Sequence, residues 1–263
     1  MTHDYETLTL EVDARGVASC TLNRPDKRNA MSDRMLAEFI DMATRMSADE
    51  RVRAVVLTGA GDFFCAGGDL SWMKNQIEAD RASRMKQARG LADALFALNT
   101  LAKPLIGRIN GSAFGGGLGL ISVCDVAIAP VTAQFGFTET RLGLIPATIS
   151  PYVLARMGEG KARRVFMSAR LFAAEEAVSL DLLARAVPAG ELDAAIEAEV
   201  APYLSVAPSA VAASKRLARS LGPRITPEVI DATIEALADT WETEEARHGI
   251  EAFLSKTPPR WAR

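Results

Sequence analysis

"GGGLGLISVCDVAIA", Gly115–Ala129, sets four glycines in its first five residues and then runs apolar into a β-branched segment. Three successive glycines at the start of an apolar helical segment leave backbone N–H groups open toward a cleft, with no side chain blocking approach. A second such place is "FFCAGGDL", Phe63–Leu70, where Ala66, Gly67 and Gly68 follow the strand-like "RAVVLTG" and precede another helix. Two loops of small residues could supply two amide donors to one oxygen, the design of an oxyanion hole. The same glycines could instead serve only tight turns and close helix packing.

Outward from these loops the first two-thirds of the chain alternates short β-branched runs with helical patterns. "VASCTLN" (17–23), "RAVVLTG" (53–59), "LIGRIN" (105–110) and "DVAIA" (125–129) read as strands. From Ser32, a cap candidate, Met35, Leu36, Phe39, Ala43 and Met46 keep helical spacing. Strand, helix, strand in succession predicts an α/β fold with mostly parallel strands. Beyond about Pro188 the pattern becomes almost wholly helical, including "TPEVIDATIEALADTW", where Thr226 can cap and Pro227 suits the first helical position.

Composition narrows the function classes. The 263 residues, 49% hydrophobic, suffice for a sizeable core. No apolar run approaches the roughly 18 residues of a membrane span, and "MTHDYETLTLEV" lacks the basic start of a signal peptide, so a cytoplasmic protein is expected. Cys20, Cys65 and Cys124 fit neither a disulfide framework nor a zinc site and read as buried free thiols. A net charge of −3 favours no nucleic-acid partner. The only histidines are His3, expected in a frayed terminus, and His248, in a polar helix, so a triad or zinc enzyme is not indicated. The residue three after Gly119 is Ser122, which breaks a dinucleotide fingerprint, and "GEGKAR" lacks the first glycine of a P-loop.

"LNRPDKRNAM", "FFCAGGDLSWM", "NGSAFGGGLGL" and "AQFGFTETRLGLIPA" follow one another in the order and spacing of the crotonase, or enoyl-CoA hydratase/isomerase, superfamily. The chain resembles that family over nearly its whole length, with "TEEARHGIEAFLSKTPPRW" resembling its C-terminal end. The resemblance implies a crotonase-like spiral of strand–strand–helix turns with a helical C-terminal section. It divides the chain into an acyl-CoA-binding core (1–200) and a C-terminal helical oligomerisation region (201–263). It further implies a homotrimer or homohexamer, an acyl-CoA thioester substrate, and no cofactor beyond the coenzyme A of the substrate. The two amides that hold the thioester oxygen would fall on Ala66 and Gly116. The loop carrying Arg24, Lys27, Arg28 and Ala30 would lie along the CoA phosphates and adenine, and Phe253 and Lys256 would reach CoA from the tail. Asp69, Leu70, Lys74, Gly115 and Arg141 complete the expected substrate contacts.

Acid–base chemistry is where the chain departs from the family pattern. Hydratases of the family carry two glutamates; the second matches Glu139, whereas the first position is Gly119. One carboxyl could take a proton from water and return it to C2, or shift a double bond without water. An apolar cleft of Phe135, Phe137, Leu142 and Leu144 would raise the Glu139 pKa toward neutrality. Gly119 would leave room for a branched acyl chain or a water. Asp69 and Asp125 are alternative acids, more in keeping with capping or network roles. With "DLSWMK" and "RLGLIPATISPYV", the glycine resembles hydratases of branched glutaconyl-CoA substrates in leucine or acyclic-terpene breakdown, in which Lys74 or Arg141 would meet the distal carboxylate. 3-Methylglutaconyl-CoA hydration ranks first. A general 2-enoyl-CoA hydratase, a Δ3-Δ2-enoyl-CoA isomerase and a non-catalytic acyl-CoA binder follow.

Overall fold

The computed structural model describes residues 5–262. In chain order the elements are β1 (Leu8–Val12), β2 (Val17–Leu22), α1 (Asp33–Ala48), β3 (Ala54–Gly59), β4 (Phe63–Cys65), α2 (Leu70–Glu78), α3 (Arg81–Thr100), β5 (Leu105–Arg108), β6 (Ser112–Phe114) and α4 (Gly116–Val123). They continue with β7 (Val126–Pro130), β8 (Gln134–Gly136), α5 (Ser150–Phe166), β9 (Phe172–Ala173), α6 (Ala174–Ser179), β10 (Arg185–Val187), α7 (Leu192–Val200), α8 (Pro208–Leu221), α9 (Pro227–Trp241) and α10 (Glu244–Ser255). A six-stranded sheet has the order β1-β2-β3-β5-β7-β10, and a four-stranded sheet the order β4-β6-β8-β9.

The turns β3-β4-α2, β5-β6-α4 and β7-β8-α5 each give their first strand to the large sheet, their second to the small sheet, and then a helix. Because β2, β3, β5, β7 and β10 pair in parallel, and β4, β6 and β8 likewise, every turn advances in the same sense and the chain winds as a spiral. The strands read from β-branched runs appear as β2, β3, β5 and β7, and both expected caps form: Ser32 accepts from Met35 N–H and Thr226 from Val229 N–H. The second strand of each turn has only three residues, too few for a periodic signal.

Side-chain alternation explains why β3 reads as continuous "AVVL". Val55 and Leu57 face the main core with Phe39, Phe64 and Phe135, while Ala54 and Val56 face a second cluster capped by Leu192, Ile196 and Val200 of α7. Ile230 and Ile234 of α9 pack on Ala88 and Ala92 of α3. Cys20, Cys65 and Cys124 are free and buried. Among the described residues no helix is long and apolar enough to cross a membrane.

Candidate active site

β4 and β6 are parallel neighbours, so the loops that follow them leave the small sheet side by side. Gly67, at φ +97°, has the place of its missing Cβ 3.0 Å from Phe114 O and 3.7 Å from Gly116 N. Gly115, at φ +51°, turns the chain into α4. Both positions lie in the left-handed region that disfavours side chains, which accounts for the bareness of the two loops.

The amides differ in availability. Gly116 opens α4, so its N–H has no intrahelical acceptor. Ala66 N–H, by contrast, donates to Arg28 O at 3.0 Å. This corrects the expectation for Ala66, whose donor is spent within the protein. Met31 pairs in parallel with Gly68 through Met31 N–H to Gly67 O (2.8 Å) and Asp69 N–H to Met31 O (3.1 Å). In such a bridge Gly68 turns its own N–H away from Met31. Gly68 is exposed, and its N–H has no acceptor among the described residues. Sequence reading missed Gly68; its place one residue before the capping Asp69 was the available signal, but which amide faces outward is decided by the bridge to Met31.

Glu139 opens a 3₁₀ turn, Glu139–Leu142, closed by Gly143 N–H to Thr140 O (3.2 Å) and Leu144 N–H to Glu139 O (3.1 Å). α10 presses on this turn: the Cβ places of Gly143 and Gly249 would lie 2.6 Å from Glu245 O and 2.5 Å from Leu142 O. Glu139 Oε1 lies 3.3 Å from the Cβ place of Gly115, next to the Gly116 amide. Its Oε2 is buried without a hydrogen-bond partner among the described residues. Burial pushes the Glu139 carboxyl up to about 7, against backbone hydrogen bonds at Glu139 and Thr138 that lower it. Phe135 and Phe137 are themselves fully buried, against Phe172 and Phe166. Arg141 does not pair with Glu139; its Nη2 donates to Ala169 O at 3.0 Å.

The Gly119 position requires a correction. A Cβ there would meet Ile149 Cγ2 at 2.6 Å and Leu95 Cδ1 at 3.4 Å, so Ile149 already fills the space expected to be open.

The other expected site residues separate into engaged and exposed groups. Arg24 pairs with Asp69 (Nη2–Oδ2 2.7 Å) and donates to Ala30 O at 2.6 Å, holding its own loop to the cap of α2 rather than reaching outward to a phosphate. Asp69 accepts from Ser71 N–H at 2.9 Å as the cap; burial works against its charge, but donors from Ser71 and Arg24 keep its carboxyl below the usual range. Asp125 accepts from Leu105 N–H and Lys215 Nζ, each at 2.7 Å, in a network role. Lys27 and Arg28 are exposed, the Arg28 guanidinium lying 4.9 Å over the Phe63 ring, and Ala30 is buried. Lys74, Phe253 and Lys256 are exposed, the last two at the end of α10, with no hydrogen bond to residues 24–28 among the described ones. Leu70 begins α2, and its side chain lies outside the described residues, as does His3. His248 accepts from Arg260 N–H at 2.8 Å and faces Trp261 edge-on. No cluster of three potential metal ligands occurs among the described residues.

A cavity of about 600 Å³ is lined by Ile77, Arg84, Trp241, Arg247, His248 and Ile250 and by no residue of the glycine loops. Ile77, Trp241 and Ile250 cluster with Leu142 and Leu144, so the cavity backs onto the turn that carries Glu139. Arg84 is committed there to Gln76 O (2.9 Å) and Ile77 O (3.1 Å).

Comparison with known proteins bears on the family and the fold. A sequence profile described as enoyl-CoA hydratase/isomerase matches residues 13–263. The crotonyl-CoA hydratase of Syntrophomonas wolfei is 31% identical over 255 residues, 96% of each chain. Crystal structures of enoyl-CoA hydratases from Shewanella pealeana (36% identity, TM-score 0.80, covering 98% of this chain and 97% of that one) and Mycobacterium avium (31%, 0.82, 97% and 99%) share the fold. With a profile match over nearly its entire length and relatives that align end to end, the chain belongs to the enoyl-CoA hydratase/isomerase family.

Proposed function

We propose that the chain is a hydratase of an α,β-unsaturated acyl-CoA, working with one carboxyl. The observation that carries the reading is Glu139 itself: its Oε2 is buried and unpartnered among the described residues, its pKa is lifted to about 7, and it sits against the glycine that precedes the Gly116 amide. A carboxyl poised near neutrality can both accept and return a proton. As carboxylate, Glu139 takes a proton from water while the water oxygen bonds to C3. The C2=C3 pair moves toward the thioester, and charge develops on its oxygen, where Gly68 and Gly116 N–H donate to it. Glu139 then returns the proton to C2, so one water is consumed and Glu139 is regenerated.

The first-ranked substrate in this proposal is 3-methylglutaconyl-CoA, on the resemblance carried by Gly119 and "RLGLIPATISPYV". Of the two cations considered for its distal carboxylate, Lys74 is the one with no hydrogen bond or ion pair to a described residue, since Arg141 is bound to Ala169 O. Lys27 and Arg28 remain the exposed cations of the loop proposed for CoA, with Phe253 and Lys256 contributing from α10. Association as a trimer or hexamer through residues 201–263 belongs to the same proposal. It is supported by α8, none of whose 14 residues is buried although Leu217 and Leu221 are apolar. The single carboxyl also favours a second reading, Δ3-Δ2 isomerisation, which moves one allylic proton.

The test is turnover of purified protein on straight-chain, β-methyl and ω-carboxyl 2-enoyl-CoAs. Hydration of all three is expected, with kcat/KM highest for a fourth thioester, 3-methylglutaconyl-CoA, which carries both the β-methyl and the ω-carboxyl group. Binding of every thioester with no product from any contradicts the reading.

A further inference from the structure

Glu139 Oε2 shares its condition with one other residue of the same segment: Thr148 Oγ1 is also buried without a hydrogen-bond partner among the described residues. Thr148 is 4% exposed. Backbone groups around it are spent locally, Ala147 N–H on Ile145 O and Ser150 N–H, with its Oγ, on Ala147 O. Folded proteins seldom leave a buried hydroxyl unpaired unless a water or ligand completes it.

Both ends of the segment are clamped to α4 and its cap. Glu139 Oε1 lies 3.3 Å from the Cβ place of Gly115, and Ile149 Cγ2 lies 2.6 Å from that of Gly119. These contacts set the two ends of the segment about one helical turn apart along α4, Glu139 at its cap and Ile149, the residue after Thr148, at Gly119. Ile149 meanwhile occupies the space in which a second carboxyl, at position 119, would have to stand. The segment therefore excludes a second acid and carries, beside the residue that excludes it, a neutral hydroxyl in need of a partner.

We infer that the Thr148 hydroxyl holds the water that adds to the double bond, orienting it toward Glu139 Oε2. The inference rests on the hydratase reading above. Thr148 is a positioning residue: it hydrogen-bonds the water and stays neutral, while Glu139 takes the proton, the oxygen bonds to C3 and Glu139 delivers the proton to C2. No other reactant is consumed.

Thr148→Val keeps the shape and removes the hydroxyl; Thr148→Ser keeps the hydroxyl, and Thr148→Ala serves if the valine variant does not fold. Steady-state hydration and thermal melting are measured on each. The expected result is a kcat loss of about tenfold or more in Thr148→Val, the worth of one well-placed hydrogen bond, with KM within about twofold and a Tm no lower than wild type. Thr148→Ser should retain kcat within about threefold. A kcat in Thr148→Val equal to wild type, or a loss shared equally by Thr148→Ser, overturns the inference and leaves the hydratase reading standing. Absence of hydration by the wild type overturns both.

Discussion

The Glu139 carboxyl is shifted by burial from an ordinary 4.5 to about 7, so between those values the folded protein holds a proton that the unfolded chain has released. Stability then falls as pH rises through that window, and above it the buried charge costs on the order of 3 kcal/mol. Glu139→Gln, which cannot ionise, should therefore melt several degrees above wild type at pH 8 and close to it at pH 4.5. An unchanged Tm difference across that range contradicts the origin assigned to the shift. Wild-type turnover should rise with pH through an apparent pKa of about 7 as the base form fills, a limb visible in a plot of kcat/KM against pH. At the proposed oxyanion loops, Gly116→Pro removes a donor at the first helical position, where proline suits the helix. Met31 Cε lies 2.5 Å from the added Cβ, so Gly116→Ala is the control that bears the same crowding and keeps the amide. A rate roughly 10²-fold lower for proline than for alanine is expected. The sequence made both loops and the lone glutamate legible, because glycine runs and a missing carboxylate are visible in one dimension. It misplaced one donor on Ala66, because the pairing of Met31 with Gly68 brings together residues 37 positions apart.

At the scale of elements, α4 and the start of α5 fit by an exchange of volume, Gly119 against Ile149. Gly119→Glu must displace Ile149 and Leu95 in the core, so it should destabilise by at least about 1–3 kcal/mol through overpacking, with the buried charge adding to that. Combining it with Ile149→Gly should recover part of the loss. A double-mutant cycle measured by denaturant unfolding is expected to give a coupling of about 1 kcal/mol, and strict additivity contradicts the contact. Reading Gly119 as open space failed for a plain reason: a missing side chain says nothing about which neighbour has moved in. The three-residue strands β4, β6 and β8 escaped notice for a similar reason. They hold the glycine loops in register yet are shorter than any periodic pattern, while β2, β3, β5 and β7, longer and buried, announced themselves as β-branched runs.

Across the whole molecule, the spiral places the outgoing loops of β4 and β6 side by side, and α10 braces the turn of Glu139 from outside. The C-terminal helices thus bear on the site as well as covering the core. α8 remains without a buried residue, and Leu217 and Leu221, 60% and 80% exposed and four residues apart, lie on one face. If that face mediates assembly, Leu217→Glu with Leu221→Glu should reduce the mass measured by light scattering to that of one chain while far-UV circular dichroism stays unchanged. A wild type that runs as a monomer at tens of micromolar contradicts the proposed association. The proposal that Glu139 alone carries the protons calls for wild type and Glu139→Gln to be compared in hydration of the best enoyl-CoA of the panel, with thioester affinity measured in parallel. A loss in kcat of at least about 10²-fold with affinity within severalfold of wild type is expected; near-normal turnover by folded Glu139→Gln means that another group moves the protons.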